Sequence, residues 1–166
     1  MSSKFSDIVG YFSKIASQHL QIGHTDSERH FYRFEIEEVF TGLKKINFPA
    51  LILEGYRYQF RDNKGDHVMK ERTGAFMLIG HLNDIGYYDA MHELWDKLEE
   101  ICDDIIARIK ADKRNPEATA VRDFDLNSVE VTLLANEQDK NYGIRCTFTI
   151  ASPRPMEVDL TKWKTN

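Results

Sequence analysis

Hydrophobic and polar positions alternate along the chain with two clear periods. From Phe5 to Gln21, the residues Phe5, Ile8, Val9, Phe12, Ile15, Ala16 and Leu20 recur every three or four positions, which predicts an amphipathic helix. Ser6 is its candidate cap, and Gly23 after Ile22 suits its stop. Thr25-Asp26-Ser27-Glu28 has capping-box spacing, and Tyr32, Ile36, Val39, Phe40 and Leu43 then share one helical face. A second helix over Ser27–Leu43 is therefore expected. A strand over Phe31–Ile36 competes with it, because Phe34-Glu35-Ile36-Glu37 alternates.

Phe48-Pro49 breaks the helical period. Ala50–Leu53 is a compact apolar run, and Gly55–Arg61 alternates aromatic with polar, as a half-exposed strand does. Asp62–Asp66 carries turn chemistry, and the next strand is expected over His67–Leu82. Its segment Gly74–Gly80 is apolar on both faces, which predicts a central strand. Tyr87–Lys113 holds the longest stripe, from Tyr88 through Leu94, Trp95, Leu98, Ile101, Cys102 and Ile105 to Ile109. Acids crowd its start and bases its end, matching the helix dipole. Asn127–Ala135 and Tyr142–Ala151 read as a second hairpin around Asn136–Asn141, ended by Pro153 and Pro155.

The predicted fold class is α+β. It comprises one antiparallel or mixed four-stranded sheet from two β-hairpins, the long helix packed on one face, and helices at the start of the chain. Residues 1–155 are expected to form one domain and residues 156–166 a tail. Trp163 in that tail is either a docking anchor or folds back onto the domain. The length of 166 residues fits one domain at roughly 100–200 residues each. Apolar residues make up 42% and charged residues 30%, which excludes a mostly disordered chain. The net charge of −5 argues against a general basic surface for wrapping nucleic acid. Met1–Asp7 has no apolar core and does not read as a secretory signal, so a cytoplasmic setting is expected.

The search for chemistry finds no catalytic motif. Cys102 and Cys146 sit at apolar phases and read as buried thiols, with a disulfide allowed only if helix and strand bring their Cα atoms within about 5–6 Å. Asp89, His92 and Asp96 share a helix face opposite the apolar stripe, where a solvated surface is the default over a metal site. No metal, cofactor or active site is expected, and the chain reads as a non-enzyme. A Cys–His pair made in space stays open. Two surfaces stand out. Tyr56, Arg57, Tyr58 and Arg61 make the first hairpin basic and aromatic. It is an exposed face, a subunit interface or a single-strand binding platform. Glu99, Glu100, Asp103 and Asp104 form an acidic patch that serves solubility or docks a basic partner.

The layout of helical segment, hairpin Ala50–Arg61 with Gly74–Leu82, long helix Tyr87–Lys113 and hairpin Asn127–Arg154 resembles that of tail-terminator (tail-completion) proteins of long-tailed phages. Phe48–Glu54 followed by Arg72–Phe76 is also similar to that group, whereas the expected helix Ser27–Leu43 is longer than its layout. The resemblance implies a virion or prophage structural protein. It would form a homo-oligomeric ring, commonly a hexamer, at the end of the tail tube, with tube and head–tail connector proteins as partners and no membrane. The alternative is a small ligand- or single-stranded nucleic-acid-binding module on the same scaffold.

Overall fold

The computed structural model describes residues 4–33, 46–62, 64, 67–83 and 88–164. In chain order these form α1 (Phe5–Gln18), β1 (Phe31–Arg33), β2 (Ala50–Leu53), β3 (Arg57–Asp62), β4 (Val68–His81), α2 (Tyr88–Asp112), β5 (Phe124–Asn136) and β6 (Asn141–Pro153). A short 3-10 turn follows at Leu160–Lys162.

The α+β class holds, but among the described residues the sheet has six strands rather than four. Its order is β1-β2-β4-β6-β5, with β3 also on β4. β4 is the centre. β6 runs antiparallel along one side of it, from Met69 opposite Pro153 to His81 opposite Asn141. β2 and β3 share its other side, β2 against Phe76–Ile79 and β3 against Val68–Thr73. Among the described residues only β1 pairs in parallel, with β2. Pro153 thus closes the register of β6 instead of lying beyond it.

β1 replaces the expected helix over Ser27–Arg33; the remainder of that expectation, residues 34–43, lies outside the described residues. Only the hydroxyl half of the capping box forms, and the return bond goes to the Glu28 main-chain oxygen instead of its carboxylate. Glu28 N donates to Thr25 Oγ1 at 2.9 Å, and Thr25 N donates to Glu28 O at 3.0 Å. A tight turn of this kind satisfies its own groups without committing the next residues to a helix. Phe31 and Tyr32 then gain burial by joining β2.

α1 ends three residues earlier than its apolar period, at Gln18, so Leu20 is 96% exposed. The chain reverses through Gly23, whose φ of 64° suits a residue without a side chain. Asp7, not Ser6, caps the start, accepting from Lys4 N at 2.7 Å.

The main core lies between the sheet and both helices. Phe12 of α1 sits at its centre, 5.5 Å from the Phe76 ring and 5.7 Å from the Phe148 ring. Leu98, Ile101, Cys102, Ile105 and Ile109 of α2 pack onto Leu78, Ile144 and Cys146 in the same cluster. The two thiols are in contact and not bridged; the hydrogen bond with Cys102, and then burial, push the Cys146 thiol well above its ordinary range. A smaller cluster of Tyr32, Ala50, Ile52, Met77 and Ile79 occupies the opposite face. β4 is therefore apolar on both faces, as its sequence predicts. At about 1.5–3 kcal/mol for each fully buried large side chain, it anchors the sheet.

Trp95 fixes the start of α2 to the sheet: its indole Nε1 donates to Gly143 O at 3.0 Å. Near the other end, Tyr11 of α1 donates to Asp112 Oδ2 at 2.9 Å, and Arg108 donates to the same oxygen at 2.8 Å. No helix among the described residues is long and apolar enough to cross a membrane.

Candidate interaction surfaces

β2 and β3 act as one strand with a bulge. Leu53 faces Phe76 and Arg57 faces Thr73, so Glu54, Gly55 and Tyr56 oppose only Ala75 and Gly74. Glu54 N still donates to Ala75 O at 3.0 Å, but the extra residue reverses which face each later side chain takes. Gly74 makes room for the step, since a Cβ there would stand 3.3 Å from Phe148 Cζ and 3.4 Å from Tyr56 Cβ.

The reversal sorts the first hairpin into two unlike surfaces. Tyr58 and Phe60 lie opposite Arg72 and Lys70, on the side that carries the helices farther along the sheet. Lys70 Nζ stands 3.8 Å from the Tyr58 ring centroid and 5.8 Å from that of Phe60. Arg72 lies 5.8 Å from the Tyr56 ring, whose edge meets Phe5 at 5.2 Å. Arg72 also donates to Ser152 Oγ at 3.0 Å. Tyr58 and Phe60 remain 55% and 47% exposed. Burial, with the neighbouring charges of Arg72 and Arg154, lowers the Lys70 pKa below its ordinary value. This face is thus cationic and aromatic.

Arg57 and Arg61 lie on the other face. Arg61 Nε is 2.7 Å from Glu71 Oε2, so its charge is matched within the hairpin. The four residues Tyr56, Arg57, Tyr58 and Arg61 belong to one hairpin but not to one surface. The cations that accompany the tyrosines are Lys70 and Arg72. The sequence shows these as part of a basic region; only the β3–β4 register assigns them to the tyrosines.

The acidic patch is present on α2. Glu99, Glu100, Asp103 and Asp104 are all exposed, and Asp104 Oδ2 meets His19 Nε2 at 3.3 Å. Asp89, His92 and Asp96 are also exposed, and no metal-holding group of side chains occurs among the described residues. His92 instead stacks beside Trp95 at 6.3 Å.

Two open clefts lie among the described residues. One, of about 490 Å³, lies at the bulge between Glu54, Arg57, Thr73, Arg145 and Thr147. Arg145 makes a bidentate pair there with Glu54, Nε to Oε1 at 2.6 Å and Nη2 to Oε2 at 2.8 Å. That bond, opposed by burial, raises the Arg145 pKa. The other cleft, of about 440 Å³, is walled by Phe48, Pro49, Leu94, Leu98 and Ile101, with His81 and Lys97 also lining it.

Beyond β6 the chain does not fold back onto the domain. Met156, Val158, Leu160 and Trp163 are 58%, 67%, 74% and 69% exposed. No protein-family model and no curated protein matches the chain.

Proposed function

We propose that the chain is a non-enzymatic assembly protein of tail-terminator type, working as a homo-oligomeric ring at the end of a phage tail tube. One observation carries this reading: a single molecule presents a cationic, aromatic hairpin face and an acidic helix face. Tyr58, Phe60 and Lys70 make the first, with Arg72 buried behind the rings, and Glu99, Glu100, Asp103 and Asp104 the second. Two unlike, complementary patches on one chain favour head-to-tail contacts, which close into a ring when their rotation permits. Aromatic and basic side chains are also the types enriched at interfaces. The hairpin works as an arm that seats on the acidic face of the next copy.

Light scattering on the purified chain tests the contact. The wild type is expected as a closed oligomer. Lys70→Glu should dissociate it, and so should Glu100→Lys with Asp103→Lys. An equimolar mixture of the two variants should reassemble, because each reversed hairpin then meets a reversed helix. A monomeric wild type, or an oligomer indifferent to both reversals, would refute the reading.

A second reading is a small-ligand module, favoured by the apolar cleft beside Lys97 and His81. An apolar carboxylate is its natural ligand class. Perturbation of Leu94 and Leu98 methyl resonances by such a compound, in a monomeric chain, would support it over assembly.

A further inference from the structure

We infer that the segment after β6 is a donor strand, added by one copy to the open edge of β5 in another. The inference rests on the self-assembly proposed above, but not on the hairpin–helix contact.

The receiving edge comes first. β5 is thirteen residues long and pairs with β6 on one side; among the described residues nothing pairs with its other side. A long open edge is a template for strand addition unless it is guarded. β5 has little guard, with no lysine and no proline, and only Asp125 and Glu130 as charges. Its register is irregular between Asp125 and Glu130, and regular from Glu130 to Asn136. Along that regular half Val131 and Leu133 project on the same face, 42% and 53% exposed.

The donor has the matching pattern. Met156-Glu157-Val158-Asp159-Leu160 alternates apolar with acidic, the period of a half-buried strand. Its three apolar side chains are exposed, and the main-chain N–H groups of Met156, Glu157 and Val158 have no partner among the described residues. Placed beside β5, Met156, Val158 and Leu160 would extend the row of Val131 and Leu133 across one more strand. Trp163 follows as an exposed anchor of the type that dominates interfaces.

Chain reach decides whose edge is used. Pro153 sits opposite Met69, whereas Glu130 sits opposite Thr147, six residues back along β6. That separation is about 20 Å at roughly 3.3 Å per residue. Met156 lies three residues beyond Pro153 and reaches at most about 11 Å. The segment therefore cannot lay Met156–Leu160 along the regular half of its own β5, and a second copy is the available acceptor.

The test uses two chains and one peptide. A chain ending at Pro155 should keep the melting curve and circular dichroism of the full chain, because the removed residues lie outside the core, yet lose its oligomeric mass. A fluorescent peptide of residues 154–166 should bind this shortened chain saturably. Leu133→Lys in the acceptor should weaken that binding by about tenfold or more. An oligomer unchanged by the deletion, a peptide that does not bind, or binding unaffected by Leu133→Lys would each overturn the inference. Assembly that survives the deletion but fails on the Lys70 reversal leaves the ring contact standing without strand exchange. The converse result leaves strand exchange standing without that contact.

Discussion

Removing the Glu54 carboxylate tests the most specific polar contact in the sheet. Glu54 sits in the bulge with 8% of its side chain exposed, and Arg145 on β6 keeps 29%. Two charge-assisted bonds of 2.6 and 2.8 Å join them. Glu54→Ala leaves the guanidinium without its counter-charge. Breaking a wholly buried pair costs about 3–5 kcal/mol. Water reaches part of Arg145, so about 2–3 kcal/mol is expected here. Arg145→Ala strands the more deeply buried carboxylate and should cost about 3–4 kcal/mol. The double variant carries neither orphan and should lose only about 3 kcal/mol, giving a coupling of roughly 2–4 kcal/mol. Urea unfolding followed by the Trp95 and Trp163 fluorescence provides the four free energies, with the slope checked for constancy. Single losses that add to within about 0.5 kcal/mol of the double variant would refute the argument.

Two glycines should respond differently to alanine. At Gly143 a Cβ would stand 2.5 Å from the Leu78 carbonyl oxygen, a main-chain atom that cannot swing away, so Gly143→Ala should cost about 3 kcal/mol. At Gly80 the nearest atom is Leu94 Cδ1 at 2.6 Å, a movable side-chain end, and Gly80→Ala should cost under about 1 kcal/mol; thermal melts rank the two, and equal losses would contradict the geometry. Asp112 supplies a pH dependence. Burial acts to raise its pKa, but the bonds from Arg108 and Tyr11 outweigh burial and leave it lowered. Its contribution is therefore present above the unfolded carboxylate value and lost as pH falls through the folded one. The stability gap between wild type and Asp112→Asn should be constant near neutrality and shrink below about pH 4, and a gap that widens in acid would refute this.

The elements with long, unbroken periods were legible from sequence. α2 spans Tyr88–Asp112 against an expected Tyr87–Lys113, and β4 has both faces buried as its apolar run implies. β1 was legible only as the competing strand over Phe31–Ile36 and not as the favoured helix, because its stabilising partner is β2, about twenty residues away, while the Thr25–Glu28 turn is local and also forms. Leu20 continued the apolar rhythm of α1 past the point where packing ends it. For the surfaces, residue types were readable and sides were not. Tyr58 and Arg57 alternate in any strand, but only the bulge decides that Lys70 and Arg72 accompany the tyrosines. The Glu54–Arg145 pair joins positions 91 apart and has no local trace. Alternation at Met156, Val158 and Leu160 was visible in principle, and gains meaning only beside an open edge.

The bulge makes the hairpin sensitive to insertions and deletions in a way substitutions cannot match. Because one supernumerary residue at Glu54–Tyr56 sets the phase of everything downstream in β3, losing a single codon there would turn the strand over. The tyrosine and phenylalanine rings would trade sides with Arg57, Gln59 and Arg61, while Leu51 and Leu53 stayed in the core. Partner choice on this scaffold can therefore be rewritten in one genetic step that leaves the core sequence unchanged. Closely similar chains differing by one residue at this position should be compared by strand phase rather than by aligned identity.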